Sequence, residues 1–125
     1  MKGLSLAVAG ILAILVAPQA QAQDVSAGER LFKRYCGVCH IAEKDSARRM
    51  QGPNLWGLIG RKAGTIEGFR YSDANKDSGI VWSAETLDPY LNDPRAVIKG
   101  TTMAFFGVRK PDERKAIIEY LSSRK

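Results

Sequence analysis

Cys36-Gly37-Val38-Cys39-His40 holds both cysteines and the single histidine of this 125-residue chain. Two thiols three positions apart, followed at once by an imidazole, form the C-x-x-C-H arrangement that attaches c-type haem. The spacing has a physical logic. On a helical turn the thiols point to one side, where they can add to the two vinyl groups of a porphyrin, while the next residue directs an imidazole at the iron. A redox dithiol or disulfide of the thioredoxin kind is a rival use of the pair, but no βαβ pattern surrounds it. Structural zinc is weaker still, because two cysteines and one histidine fall short of four ligands.

With His40 as the fifth ligand of a haem iron, a second histidine is not available for the sixth position, and methionine is the natural candidate. Behind the N-terminal leader only Met50 and Met103 remain. Met50 follows Arg48-Arg49 in a polar stretch, whereas Met103 lies in Gly100-Thr101-Thr102-Met103-Ala104-Phe105-Phe106-Gly107, among flexible and apolar residues, and is the preferred choice. A thioether is soft and raises the reduction potential relative to bis-imidazole iron. Filling both axial positions blocks oxygen chemistry and leaves electron transfer as the simplest function. A haem peroxidase and a five-coordinate gas-binding cytochrome are the rivals, since both need an open iron. Gas-binding proteins of the c′ kind carry C-x-x-C-H near the end of a four-helix bundle, not near the start of the mature chain as here.

The leader sets the compartment. Lys2 supplies a positive start, residues 4–17 are an unbroken apolar to weakly polar run, and Ala20-Gln21-Ala22 offers small residues for cleavage. Fourteen residues are too few to cross a bilayer comfortably. The expectation is a cleaved signal peptide, residues 1–22, a single mature domain over 23–125, and a periplasmic protein without stable membrane insertion. The mature chain keeps eighteen Lys and Arg against thirteen Asp and Glu, a balance of +5. Its partners should therefore be acidic. Nucleic acid is excluded by export and by the scatter of the charges, which form no basic run. A domain this small buries only about 60% of its unfolded surface, so a bulky bound group would help to complete the core.

The pattern along the chain is all-α with long loops. Asp24 or Ser26 is expected to cap a helix running to Cys36, with Val25, Leu31, Phe32 and Tyr35 on its apolar face and Gly28 allowing close approach. From Ile41 to Gly68 glycines punctuate the chain and no period survives, as expected of a loop covering a cofactor. One helical turn follows over 71–76, then a Ser83-capped segment over 84–92 that Pro89 could bend or divide. Asp93-Pro94 opens a short helix ending near Gly100. Pro111 starts the last, with Ile117, Ile118, Tyr120 and Leu121 buried and Arg124 and Lys125 at its negative end.

Ordered motifs then extend over the whole mature chain: Gly28-x-x-x-Phe32, the haem motif, Gly52-Pro53-Asn54-Leu55, Gly60-Arg61-Lys62, Gly68-Phe69-x-Tyr71-Ser72-Asp73-Ala74-Asn75-Lys76, Trp82, Thr86-Leu87-x-x-Tyr90-Leu91 and Lys99-Gly100-Thr101-x-Met103-x-Phe105-x-Gly107. In this set the chain resembles the class I cytochromes c, specifically the group of mitochondrial cytochrome c and bacterial cytochrome c2. The resemblance implies a small all-α fold of about four to five helices with long loops wrapped around one haem c, bound covalently through Cys36 and Cys39 and ligated by His40 and Met103. It implies that the Pro53 carbonyl accepts a hydrogen bond from the His40 ring, that Arg61, Tyr71 and Trp82 satisfy a buried propionate, and that Tyr90, Asn75 and Thr101 form a polar network near Met103. It matches Gly28, Phe32, Ile117 and Tyr120 to a crossing of the first and last helices.

The function implied is a non-enzymatic, monomeric one-electron carrier that docks on acidic surfaces of larger redox proteins: a respiratory complex, a photosynthetic reaction centre or a periplasmic dehydrogenase. Arg30, Arg34, Arg95, Lys99, Arg109 and Lys110 are the candidate basic rim. Thr102 and Tyr35 stand where mitochondrial relatives have lysines and Lys99 where they have proline, so the charge pattern of that face differs. The loop from His40 to Gly52 is one residue longer than theirs and lacks their histidine.

Overall fold

Local capping chemistry starts three of the helices. In the computed structural model, which describes residues 20–125 with side chains from Val25 onward, the order is α1 (Ala20–Tyr35), α2 (Asp73–Asp77), α3 (Ala84–Asn92), α4 (Pro94–Val97) and α5 (Pro111–Ser122). The Ser72 hydroxyl accepts from the Asn75 N–H at 3.1 Å and opens α2. Ser83 and Thr86 form a reciprocal capping box at α3, and Asp93 Oδ1 accepts from the Ala96 N–H at 3.2 Å to open α4. Pro111 opens α5 without a side-chain cap, its fixed φ suiting the first helical position.

Two expected boundaries are corrected, and the expected span of α3 is met without a break. α1 is already helical at Ala20, the first described residue, so Asp24 and Ser26 lie inside the helix and do not cap it; Ala20-Gln21-Ala22-Gln23 are good helix formers. Pro89 does not divide α3: its ring is exposed, only the helical bond to the Glu85 carbonyl is given up, and its own carbonyl still accepts from Asp93 N at 3.1 Å. α4 closes at Val97 rather than near Gly100, since Ile98 leaves the helical region and Gly100 turns left-handed at φ +93°. Asp93 thus ends one helix with its N–H and begins the next with its carboxylate. Arg124 and Lys125 lie beyond α5, whose last turn carries no basic residue. Arg124 instead stacks over the Tyr120 ring at 4.6 Å, and its carbonyl accepts from Gly57 N at 2.7 Å. The leader falls on residues 1–22, of which 1–19 lie outside the described residues.

The core forms where α1 and α5 cross. A Cβ on Gly28 would collide with the Ala116 carbonyl and lie 2.7 Å from Tyr120 Cβ, so glycine is what permits this approach. Phe32 and Tyr120 pack with centroids 5.2 Å apart, and Ile117 is fully buried beneath them. Between Cys36 and Ser72 the chain is loop, as expected, and the described residues contain no β-strand, only one bridge between Lys62 and Val81. Around that bridge Gly60 N donates to Trp82 O at 2.8 Å and Trp82 N to Arg61 O at 2.9 Å. These bonds draw the loop over Trp82, which itself lines a cavity.

Candidate haem site

α1 ends at Tyr35, and the turn that follows carries the C-x-x-C-H motif: Cys39 N and His40 N both donate to the Cys36 carbonyl, at 3.0 and 2.8 Å. The turn presents both thiols and the imidazole to a cavity of about 440 Å³, lined mostly by apolar groups. Every residue expected at the site lines it: Cys36, Cys39, His40, Pro53, Arg61, Tyr71, Asn75, Trp82, Tyr90, Thr101 and Met103. Met50 is not among its walls; its sulfur sits 3.9 Å from an Arg48 nitrogen on the loop outside.

His40 Nδ1 lies 2.8 Å from the Pro53 carbonyl. A carbonyl can only accept, so Nδ1 carries the proton and Nε2 keeps its lone pair, the tautomer a metal needs. Burial holds the ring below its ordinary pKa and therefore neutral, against a smaller opposing effect of the Pro53 bond. Gly52 explains how the loop comes so close. A Cβ there would run into the ring, 2.6 Å from Nδ1, and Gly52 N is tied back to the Cys39 carbonyl at 2.7 Å.

Both thiols are free, and burial together with the neighbouring Cys39 pushes the Cys36 pKa up to about 12, whereas a reactive redox thiol needs a lowered value. Among the described residues no group of three or more His, Cys, Asp or Glu is placed to hold a bare metal ion.

On the opposite wall the Tyr90 hydroxyl donates to Met103 Sδ at 3.5 Å, and Met103 N donates to Thr101 Oγ1 at 3.2 Å. Asn75 does not join this network through its side-chain oxygen: Oδ1 is buried without a partner. An orphaned acceptor at the cavity wall is costly and fits a group that is itself bound there. Arg61 donates to the carbonyls of Trp56 at 3.0 Å and Asn54 at 3.1 Å. Burial lowers its pKa, so the cation stands to gain from an anion, and a propionate would supply one. The donor set, the glycine cradle at His40 and the orphaned amide oxygen all fit a haem.

A family model described as cytochrome c matches residues 25–125. The chain belongs to the cytochrome c family. It is 47% identical over 103 residues to cytochrome c of Chlamydomonas reinhardtii, an alignment covering 82% of this chain and 91% of that one. To cytochrome c2 of Blastochloris viridis it is 50% identical over 111 residues, covering 89% and 85%. To cytochrome c of Gibberella zeae it is 48% identical over 98 residues, covering 78% and 92%. As a cytochrome c it is a monohaem electron-transfer protein and not an enzyme, and the family implies a covalently bound haem c.

Some residues of this cytochrome c escaped sequence reasoning. Gly52 reads as loop punctuation and as one residue of a motif, and neither reading says that its bare Cα makes room for the His40 ring. Tyr35 Oη donates to Glu113 Oε2 at 2.7 Å, bridging the end of α1 to the start of α5 directly before Cys36, a pairing 78 positions apart. The six candidate rim cations are all exposed and none lines the cavity; Lys110 pairs with Glu113 at 3.5 Å and Arg95 lies 5.7 Å from the exposed Phe106 ring.

Proposed function

We propose that this chain is a periplasmic one-electron carrier whose haem c is joined to Cys36 and Cys39 and ligated by His40 and Met103. One observation carries the reading: an imidazole with Nδ1 already committed to Pro53 and a thioether beside a phenol line one apolar cavity together with two free thiols. Bound haem supplies one-electron oxidation and reduction at its iron. The chain's residues do the rest. Pro53 holds the imidazole in its ligating tautomer, Tyr90 withdraws electron density from the sulfur, Arg61 and Tyr71 meet buried carboxylate charge, and the apolar walls keep water from the iron.

Lys2, the apolar run and Ala20-Gln21-Ala22 support export and cleavage after Ala22. The exposed basic residues support docking on acidic faces of larger redox proteins, with the chain acting as a monomer. The test is an optical spectrum of the protein purified from the periplasm, oxidised and reduced. A sulfur-to-iron charge-transfer band in the oxidised form, no change on adding carbon monoxide to the reduced form, and Gln23 as the first residue are expected. High-spin features with ready carbon monoxide binding would overturn Met103 as ligand; a retained leader would overturn the secreted form.

A further inference from the structure

Arg114, on the first turn of α5, is only 8% exposed and lies outside the cavity. A charge so buried must be paired. Its Nε donates to Asp88 Oδ1 at 2.7 Å and Nη2 to Oδ2 at 3.5 Å, while Nη1 donates to the carbonyls of Val108 and Arg109, both at 3.0 Å, and reaches Asn92 Oδ1 at 3.5 Å. A planar guanidinium can serve all these acceptors at once; an ammonium cannot.

The two groups of partners matter for where they sit. Asp88 and Asn92 flank Tyr90 on α3, and Tyr90 is the residue bonded to the Met103 sulfur. Val108 and Arg109 end the segment that carries Met103. That end is seated firmly: Val108 N donates to Leu91 O at 2.8 Å, and Gly107 lies so close to the Asn92 carbonyl that a Cβ would collide. The middle is not. Thr102, Ala104 and Phe106 are exposed, Phe106 by 80%. A segment with few buried contacts opens at low cost, so its position depends on how its ends are held.

We propose that Arg114 is a positioning residue for Met103: by clamping the Val108 and Arg109 carbonyls to the helix that carries Tyr90, it sets how often the thioether leaves its place. The proposal rests on the reading of Met103 as the sixth ligand. Losing the fork leaves two carbonyls without their donor, and the loss of a hydrogen bond from a charged group raises the open population by about tenfold. An external ligand that binds only the open form then gains apparent affinity by the same factor.

The experiment titrates the oxidised holoprotein with imidazole, following the sulfur-to-iron band, and measures hydrogen exchange at the Val108 amide. Arg114→Lys is compared with Ile117→Val, which loosens the same core cluster while leaving every hydrogen bond of the Arg114 fork in place. Arg114→Lys should bind imidazole about tenfold more tightly and exchange the Val108 amide about tenfold faster, while Ile117→Val should leave both within about twofold at a similar loss of Tm. If the two variants behave alike, or Arg114→Lys changes neither readout, the proposal fails. Should Arg114→Lys not accumulate, Asp88→Asn, which weakens the α3 anchor of the fork, is judged by the same criteria. A wild-type spectrum lacking the band would sink Met103 as ligand, and the Val108 exchange would still decide whether Arg114 holds the segment.

Discussion

His40 shows how little room a ligand-bearing side chain can be given. Its ring is fixed above by the Pro53 carbonyl and below by the bare Cα of Gly52. Gly52→Ala should push the ring off its bond to Pro53 and destabilise the protein by about 1–3 kcal/mol, the usual cost of overpacking; thermal unfolding and the haem-to-protein ratio of periplasmic material check this. Tyr90 acts on the other side. With Met103 as the proposed sixth ligand, its hydroxyl would draw electron density from the sulfur and so disfavour the more positive oxidised iron. Tyr90→Phe should lower the reduction potential by up to about 40 mV, the equivalent of a weak hydrogen bond of about 1 kcal/mol, as read by equilibrium redox titration. The identities of these residues were legible from motif and resemblance; the stacking of Gly52 under the ring was not, because nothing in a Gly-Pro pair says which side chain will lie over it.

Helices in this protein are specified by different ranges of information. α2, α3 and α4 start at Ser72, Ser83 and Asp93, and local sequence suffices to find them. α1 and α5 are placed by their crossing. Gly28→Val would put carbon into the Ala116 carbonyl, and we expect a cost of about 3 kcal/mol and a Tm drop of roughly 12–24 °C for a domain of this size. The Tyr35–Glu113 bond joins the same two helices and has a pH signature. Tyr35, followed by smaller effects of Lys110 and Arg34, holds the Glu113 carboxyl below its ordinary value of 4.5. Its stabilisation is therefore fully present above that value and lost as pH falls through the lowered one. Tyr35→Phe should reduce Tm near neutral pH, with the gap to wild type closing in acid below the carboxylate range; a gap independent of pH would mean the bond contributes nothing through ionisation. Arg114 shares a face with Ile117, Ile118 and Leu121 at helical spacing, a sign of its burial that its charge conceals.

Over the full chain the formal charge is +6, and Arg30, Arg34, Arg95, Lys99, Arg109 and Lys110 are among its exposed cations. Electron transfer to an acidic partner should slow as ionic strength rises, by tenfold or more between about 10 and 200 mM salt, since screening shortens the reach of surface charges; stopped-flow rates test it, and a flat salt profile would argue for an apolar docking face instead. What the sequence by itself determined is the chemistry: two thiols and an imidazole at fixed spacing, helix starts with their own caps, and an ordered set of motifs. Those are local, and spacing along the chain is enough to read them. Only the tertiary structure decided that Met103 and not Met50 reaches the cavity, that Asn75 faces it with an unpartnered oxygen, and that Arg114 is sunk between α3 and the Met103 segment. Each depends on groups brought together by packing and hydrogen bonding across tens of residues, and burial, not residue type, determines which of them are free to meet a ligand.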